Sequence, residues 1–456
     1  MHYYLAAIAF VIYVLYKCYI YPVYLSPLRK IPGPPAENFI LGHYTSSLNK
    51  DLAKGLAHLV KQYGVMVRYH GLFNEPYIVI ADQRLVQQIM LGHSYEYPRA
   101  VFNKDMLKEV IGEGIIFAEG GAHKRQRKMM SPSFGFSHVK EMAPTFVQAG
   151  HKLKDLWMKQ IDNKKVERIT ITDLIPKIAL DVIGRVGFNH EFNCTGSQSE
   201  LAQAYNTITS QNDSVLYLTL NNIIPIRKSP TSYNNERYDS IKIINNTSER
   251  LVAEQKNSPV MTLLFAGHET TSTALSWILY FLAENPDTQD RLRKEVLDLF
   301  ADRNHHPTYD EIEHLKYSEC VIKETLRIMP PAPQLLRRTS KDEVMNGYFI
   351  PKGTQLWISI YSLHHDPSIW GDDVEHFNPS RWLDPEKSKI TNSNYLPFGA
   401  GPKTCLGMKM ALLELRSILS VIIRNFEFKL VEDFTFQSKS FGIAKPIPGI
   451  DLLVSK

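Results

Sequence analysis

The chain reads Phe398-Gly-Ala-Gly-Pro-Lys-Thr-Cys405-Leu-Gly407 near its C-terminus, a glycine-rich loop that places one cysteine just before a helix-forming run, 408–415. A thiolate is a metal ligand, and the positive end of a helix favours the deprotonated sulfur. The glycines let the backbone approach a flat cofactor, and Phe398 can pack beside the sulfur. The loop predicts that Cys405 is a metal ligand. An inert buried thiol is the alternative that a lone cysteine leaves open.

A second chemical signal lies in the apolar helix predicted over residues 260–284, which carries Ala266-Gly-His-Glu-Thr-Thr271. An acid and an alcohol inside so apolar a helix need partners or a chemical role. Glycine and threonine can loosen the backbone hydrogen bonds and open a kink that admits a small molecule. The alternative is that the threonines bond back to their own helix and that Glu269 pairs with a basic residue.

A third signal is a set of charged residues with helical and loop spacing. Glu324-Thr-Leu-Arg327 places opposite charges on one helical face. Phe377-Asn-Pro-Ser-Arg381-Trp382 follows downstream and supplies another arginine.

Composition limits the class of protein. The chain has 456 residues, 44% hydrophobic and 22% charged, with a net charge of +5. Since no linker divides it after the first 35 residues, one large domain is expected. The four cysteines, at 18, 194, 320 and 405, form no CxxC pair, so neither a disulfide framework nor a zinc site is indicated. The charge pattern gives no support to nucleic-acid binding.

The N-terminus differs from the rest. Residues 3–25 are almost wholly apolar and aromatic, broken only by Lys17 and Pro22, and as a helix they would reach about 35 Å. They predict a transmembrane signal anchor, followed by a proline-rich linker over 26–35 and a catalytic domain over 36–456. Arg29 and Lys30 place that domain on the cytoplasmic side. A helix lying on the membrane surface is the alternative.

Periodicity predicts a mainly helical body with few short strands. The predicted helices are 51–62, 84–91, 123–130, 137–160, 172–186, 240–255, 260–284, 286–300, 310–328 and 406–424. The predicted strands are 65–70, 77–81, 347–350, 355–360 and 427–430.

These motifs, in this order, resemble the cytochromes P450, the haem-thiolate monooxygenases. The Phe-x-x-Gly-x-basic-x-Cys-x-Gly pattern of residues 398–407 is the most specific of them. The resemblance implies a mainly α fold with a small antiparallel β-sheet, in one haem-enclosing domain. It also implies that one oxygen atom from O2 is inserted into a lipophilic organic substrate. Pocket residues are expected in 102–117, 216–225, 332–336 and 440–443, and at Ala266 and Thr270.

The resemblance assigns roles residue by residue. Cys405 would be the axial thiolate ligand of haem b, in a loop formed with Phe398, Gly401, Lys403 and Gly407. Thr270 and Glu269 would be catalytic, the alcohol as a hydrogen-bond partner in oxygen activation and the acid as a proton relay through water. Candidate cations for the haem propionates are His123, Arg127 and Arg338. Glu324, Arg327 and Arg381 would form a buried network that is structural rather than catalytic.

Partners and location follow from the same resemblance. Electrons would come from NADPH through the membrane-bound NADPH-cytochrome P450 reductase, with cytochrome b5 as a second candidate donor. Basic side chains in the run 123–128 would attract such an acidic protein. The protein would be a single-pass protein of the endoplasmic reticulum membrane.

The chain departs from the family pattern at two places. Lys403 stands where arginine or histidine is usual, and lysine cannot form a bidentate contact. Thr270 lies only ten residues after Val260, so helical turns that the family has before it are missing. We infer a deletion near 256–260 or an incorrectly joined gene model, and a natural short variant is the alternative. Two alternative functions remain open at this point: a peroxide-rearranging or dehydrating haem-thiolate enzyme, and a non-catalytic haem-binding protein from a truncated chain.

Overall fold

The computed structural model describes residues 2–43, 51–100, 104–112, 114–196, 199–210, 217, 221, 224–255, 260–384, 390–439 and 442–456. The inferred deletion near 256–260 falls largely outside these residues. So do much of the predicted pocket segment 216–225 and half of 440–443.

Helices dominate the described part of the chain. They are α1 His2–Leu15, α2 Leu52–Tyr63, α3 Gln83–Val86, α4 Lys104–Ile111, α5 Gly120–Met130, α6 Phe136–Ile161, α7 Ile171–Phe188, α8 Glu200–Ser210, α9 Ser232–Gln255, α10 Val260–Glu284, α11 Pro286–Leu299, α12 Tyr309–Glu313, α13 Lys316–Ile328, α14 Ile360–His364, α15 Pro367–Trp370 and α16 Met408–Ile423. Wider π-helical turns cover Tyr16–Leu25 and Gln87–Gly92.

The strands form small separate sheets. They are β1 Met66–His70, β2 Pro76–Ile80, β3 Val166–Thr170, β4 Gln334–Arg338, β5 Glu343–Met345, β6 Tyr348–Ile350, β7 Gln355–Ser359, β8 Glu427–Leu430, β9 Gln437–Lys439, β10 Lys445–Ile447 and β11 Asp451–Ser455. The largest sheet has the order β1-β2-β7-β4. Its β2–β7 pair is parallel, and its other pairs are antiparallel. The remaining sheets are β3-β11-β8, β10-β9 and β5-β6.

The predicted fold class, mainly helical with small sheets, is confirmed. One predicted helix, 310–328, is wrong as a single element, because the chain turns at His314 and Leu315 between α12 and α13. Strands β3, β5, β9, β10 and β11 were not among those predicted, whereas β4 is the strand expected around Arg338. Strands β3 and β11 pair across a long stretch of sequence, as in the pairing of Ile169 with Leu452, so no local turn pattern marks them.

The largest hydrophobic core lies among α6, α7, α10 and α16. Trp157 on α6 and Trp277 on α10 are almost fully buried in it. Gly150 allows α6 to approach α16 closely, since a Cβ there would lie 3.1 Å from Val421. This core holds α10, the helix with the acid-alcohol pair, in fixed relation to α16, which follows the cysteine loop.

The N-terminal segment His2–Lys30 is long and apolar enough to cross a membrane, by length and composition alone. Most of its side chains are exposed. The end of this segment contacts the body, because the Asn74 side-chain amide donates to the Cys18 carbonyl at 3.1 Å. The boundaries of the anchor (3–25), the proline-rich linker (26–35) and the catalytic domain (36–456) stay predictions.

A buried charged network supports the cysteine loop. Glu324 and Arg327 are completely buried, and the guanidinium of Arg327 donates to both carboxylate oxygens, at 2.8 and 3.0 Å. Arg381 and the Trp382 indole donate to the same carboxylate, each at 2.9 Å. The Asn378 backbone N–H adds a further bond at 3.0 Å. These donors satisfy both oxygens of the buried carboxylate without water.

His364 connects this network to the loop, a role that sequence reasoning missed. Its Nε2 accepts a hydrogen bond from the backbone N–H of Leu396 at 2.9 Å, so Nδ1 carries the proton and donates to the Arg327 carbonyl at 3.0 Å. Arg327 in turn donates to the His364 carbonyl at 2.9 Å. Leu396 lies two residues before Phe398, so the loop is fixed to α13 through one imidazole.

Glu324→Gln should lower the free energy of unfolding by about 3–5 kcal/mol, because Arg327 would remain buried without its anionic partner. Denaturant unfolding followed by circular dichroism would measure the change. Asp298→Asn, which breaks the exposed Lys294–Asp298 pair, should change stability by less than about 0.5 kcal/mol. Equal effects of the two variants would contradict the assigned role of the network.

Stability should also fall in acid through His364. Burial, helped by the nearby charges of His365 and Arg327, lowers the pKa of His364 to about 3. The unfolded side chain binds a proton below about pH 6.5, whereas the folded one does not. The contribution of this histidine to the free energy of unfolding is therefore fully present above that pH. It is lost as pH falls toward 3, at about 1.4 kcal/mol per pH unit.

Unfolding curves between pH 7 and 4 should therefore be less steeply pH-dependent in His364→Gln than in the wild type. The exposed His138→Gln variant is the control and should keep the wild-type slope. Identical slopes in the wild type and His364→Gln would refute the effect.

Candidate active site

A cavity of about 460 Å³ lies between α10 and the cysteine loop. We call it the reaction cavity. Of the predicted pocket residues, those that line it are Ile115, Ile116, Ala266, Thr270, Ala332, Gln334, Leu335 and Leu336. The Cys405 side chain is accessible from this cavity, although it lies deep in the protein.

The cysteine loop is held in a tight turn. The Cys405 N–H donates to the Phe398 carbonyl at 2.8 Å, which closes the loop on itself. Gly401 has a φ of +67°, and a Cβ there would lie 2.1 Å from the Met90 carbonyl oxygen. Any other residue at 401 would force the loop away from Met90. Phe398 and Gly407 lie beside Cys405 on the cavity wall.

The surroundings of the Cys405 sulfur act on its pKa in opposite directions. Burial raises the pKa of the thiol, and this is the largest effect. The Gly407 backbone N–H and the positive charge of Arg127 lower it. The sulfur therefore has a hydrogen-bond donor and a cation beside it, as a thiolate ligand requires.

Cations gather at one edge of the reaction cavity. Arg99, Arg127 and Arg337 line it together with His123. Arg127 also donates to the Thr404 carbonyl at 2.5 Å, which ties α5 to the cysteine loop. Among the residues that the structure describes, no carboxylate lines this cavity.

Two buried nitrogens at this edge lack hydrogen-bond partners in the described part of the chain, Nε of Arg337 and Nε2 of His123. The other ring nitrogen of His123 shares a hydrogen bond with the Tyr95 hydroxyl at 3.0 Å. Burial lowers the pKa of His123 to about 4, and Arg99 and Arg127 lower it further, so the ring is neutral near pH 7. Buried donors without acceptors fit a cofactor that brings carboxylates.

The position of one predicted cation needs correction. Arg338 is exposed and faces away from the cavity, whereas Arg337 is 3% exposed and lines it. Both lie on β4, whose residues 334–337 line the cavity while the last residue, Arg338, does not. Sequence spacing alone does not show where the strand leaves the cavity, and the structure favours Arg337 over the predicted Arg338 as a candidate cation.

Lys403 is directed toward Glu119. Its ammonium group is buried and lies 2.6 Å from a Glu119 carboxylate oxygen. Glu119 also accepts from the Arg99 backbone N–H at 2.9 Å. Burial lowers the pKa of Lys403, and the bond to Glu119 opposes that shift. Glu119 therefore joins the cysteine loop to the start of α5, a role that no sequence motif signalled.

The acid-alcohol pair of α10 is divided between two faces of the helix. Thr270 lines the reaction cavity, and its hydroxyl donates to the Ala266 carbonyl at 2.8 Å. Glu269 does not line that cavity, because its carboxylate is paired with Lys445 at 2.5 and 2.7 Å. The helix runs without interruption from Val260 to Glu284. The structure thus has the internally bonded arrangement that the sequence left open as an alternative.

The first turns of α10 pack under α4. The Thr262 hydroxyl donates to the Ile111 carbonyl at 2.6 Å. Phe265 contacts the small cluster of Val110, Ile111 and Ile241. His268 is a packed side chain, as expected, since its ring bonds the Leu264 carbonyl at 2.6 Å.

Comparison with known proteins agrees with this site. The sequence profile of the family described as Cytochrome P450 matches residues 32–261 and 219–454. Cytochrome P450 monooxygenase sphH of Aspergillus fumigatus is 30% identical over 472 aligned residues, which cover 91% of this chain and 86% of that protein. Cytochrome P450 monooxygenases 128 and 205 of Postia placenta are 29% and 28% identical, over 90% and 92% of this chain and 88% and 90% of their own lengths.

The match extends over nearly the whole body, and the haem-thiolate chemistry of the matched family requires what the cavity offers, an accessible cysteine beside buried cations. This chain belongs to the cytochrome P450 family and is a cytochrome P450 monooxygenase.

Proposed function

We propose that Cys405 is the axial ligand of haem b, and that the protein inserts one oxygen atom from O2 into a lipophilic substrate with electrons from NADPH. The observation that supports this most strongly is the pairing of an accessible cysteine with a cavity that is lined by cations and, among the described residues, by no carboxylate. Arg99, Arg127, Arg337 and His123 together would form a site for a flat dianion.

The haem would be held by three kinds of contact. Cys405 would bind the iron, in the loop formed with Phe398, Gly401 and Gly407. The propionates would accept from Arg99, Arg127 and Arg337, and from Nε2 of His123. Lys403 would add positive charge at the same edge while its ammonium group stays bonded to Glu119. We do not include Arg338 in this set, because its side chain is exposed.

The haem, when bound, supplies the redox chemistry that activates dioxygen. The chain's own residues orient the substrate and control water and protons. Ile115, Ile116 and Leu336 give the cavity apolar walls that favour a lipophilic substrate and exclude bulk water. Thr270 is one of three threonines of α10 that line this cavity, with Thr262 and Thr271, and its hydroxyl would hydrogen-bond the reacting oxygen. Glu269 would supply protons from the other face of the helix.

The electron donor would be NADPH-cytochrome P450 reductase, with cytochrome b5 as a second donor. Lys124, Arg125 and Lys128 are exposed on α5, while Arg127 of the same helix contacts the cysteine loop. An acidic protein docked on these side chains would lie on the thiolate side of the haem.

The apolar segment His2–Lys30 would anchor the protein in the endoplasmic reticulum membrane, with the body on the cytoplasmic side. The proline-rich stretch 31–35 would then separate the body from the bilayer.

We also propose that the chain is shortened before α10. The family profile matches in two pieces that overlap at 219–261, and this overlap contains the junction inferred from the sequence. Sequencing the transcript across codons 256–260 would decide whether residues are missing from the gene model or from the protein.

The haem-thiolate assignment predicts a strongly red-shifted absorption band when the purified protein is reduced and exposed to carbon monoxide. Cys405→Ala should abolish that band. Cys320→Ala, which changes a buried cysteine away from the cavity, should retain it. A band that survives in Cys405→Ala, or a wild-type protein without one, would refute the assignment.

The neighbouring arginines offer a matched test of the haem edge. Arg337→Gln should weaken haem retention by about tenfold to a hundredfold, because a charge-assisted hydrogen bond contributes about 1.5–3 kcal/mol. Arg338→Gln should retain haem as the wild type does. Haem transfer to excess apomyoglobin would measure retention, and circular dichroism would confirm that both variants fold. Equal loss from both variants would contradict the assignment of Arg337.

A further inference from the structure

The N-terminal segment is joined to the body by contacts that begin inside its own helical turns. The side-chain amide of Asn74 donates to the Cys18 carbonyl at 3.1 Å and to the Phe39 carbonyl at 2.8 Å. Asn74 is completely buried. One amide therefore holds the end of the anchor and the stretch after the proline-rich linker at the same point of the body. We call this region, residues 18–43 with the turn 71–75, the joint.

Pro22 explains why a carbonyl of the anchor is available to Asn74. In an α-helix the N–H of residue 22 would donate to the Cys18 carbonyl, four residues earlier, but proline has no N–H. The backbone widens here into the π-helical turns of Tyr16–Leu25, and Pro22 is buried in them. A donor from the body thus bonds a carbonyl that has lost its α-helical partner.

The turn that carries Asn74 is held in an unfavourable conformation. Phe73 and Asn74 have φ angles of +52° and +55°, in the left-handed region that a phenylalanine adopts only under constraint. The Phe73 N–H donates to the Ile40 carbonyl at 2.6 Å, and Nδ1 of His70 donates to the Asn74 carbonyl at 3.0 Å. Asn74 is therefore fixed from two sides, by β1 and by the chain that follows the linker.

The linker itself lies on the body. Leu28 and Ile31 are almost fully buried and pack with residues of β2 and β7. The Arg68 N–H donates to the Pro32 carbonyl at 2.8 Å. Gly33 permits this contact, because a Cβ there would lie 1.9 Å from the Arg68 carbonyl oxygen. The proline-rich stretch is therefore packed against β1 and is not a free tether.

We propose that the joint is rigid, and that Asn74 is the residue that locks the anchor to the body at one angle. The proposal rests on the membrane anchoring and haem binding of the proposed function. A flexible linker would let the body take many orientations on a bilayer, whereas a locked joint gives it one. The plane of the bound haem then has a single tilt relative to the membrane.

The first test measures amide hydrogen exchange by mass spectrometry in the full-length holoprotein, reconstituted in lipid nanodiscs. Asn74→Gly keeps the left-handed turn, because glycine adopts it freely, but removes the amide. Exchange in residues 26–31 and 38–43 should become about fivefold faster or more, because a buried group loses two hydrogen bonds. Asn189→Gly is the matched control, since Asn189 has a φ of +52° at the exposed end of α7, and it should leave exchange in those residues unchanged.

Linear dichroism of the haem absorption band in oriented bilayers measures the angle itself. The wild type and Asn189→Gly should show one narrow distribution of haem tilt, and Asn74→Gly a broader one. A merely structural loss would speed exchange without changing orientation. A wild-type tilt distribution in folded Asn74→Gly would therefore overturn the proposal, whatever its exchange rates, and so would a broad distribution in the wild type.

Pro22→Ala tests the carbonyl that Asn74 bonds. An N–H at position 22 can donate to the Cys18 carbonyl and compete with Asn74, so this variant should also broaden the tilt distribution. The double variant Pro22→Ala/Asn74→Gly should be no broader than Asn74→Gly alone, and additive broadening would overturn the assignment of that carbonyl.

Failure of the proposed function would appear in the wild type, as a protein that does not float with lipid vesicles or that lacks the carbon monoxide band. Asn74→Gly should leave both of these properties unchanged.

Discussion

The carboxylate of Glu324 is the constraint on which the active site depends. It is fully buried, and it accepts hydrogen bonds from Arg327 on its own helix and from Arg381, Trp382 and the Asn378 backbone on a distant segment. A charge in this position is tolerated only while all these donors are in place. Folding of the segment around Arg381 is therefore coupled to folding of α13, and through His364 to the start of the cysteine loop. Cys405, the proposed iron ligand, is thus positioned by charges that do not contact it.

At the edge of the reaction cavity the charges are reversed, because a cluster of cations there needs an anion. Arg99, Arg127 and Arg337 converge with Lys403, and Glu119 is the acid that bonds to this group. Without a further anion the cluster repels itself in a low-dielectric site. A dianionic cofactor would remove that repulsion, so its binding free energy would contribute to the stability of the fold. The Glu324 network is complete within the chain, whereas the proposed cofactor would complete the cation edge.

The sequence predicts the elements that have a local pattern. The loop around Cys405 was identified from its closely spaced glycines, and α10 was identified from its continuous run of apolar residues. Sequence reasoning failed where a long-range contact decides. Arg338 was predicted and Arg337 was not, because the position at which β4 leaves the cavity depends on its pairing with β7. The sequence left open that Glu269 pairs with a basic residue, but nothing near it in the chain indicates that this residue is Lys445, 176 residues later. His364 and Glu119 lie in no recognisable motif, and only their contacts show their roles.

The geometry of α10 explains why an acid and an alcohol at consecutive positions serve different cavities. Neighbouring side chains on a helix project about 100° apart, and the boundary between the reaction cavity and a polar cavity on the other side of α10 passes between Glu269 and Thr270. The alcohol faces the apolar side, where a free carboxylate would be costly to bury. The acid faces the polar side, where Lys445 compensates its charge. In the proposed function, a proton that passes from Glu269 to Thr270 would therefore have to cross the helix. The separation keeps the carboxylate out of the apolar reaction cavity.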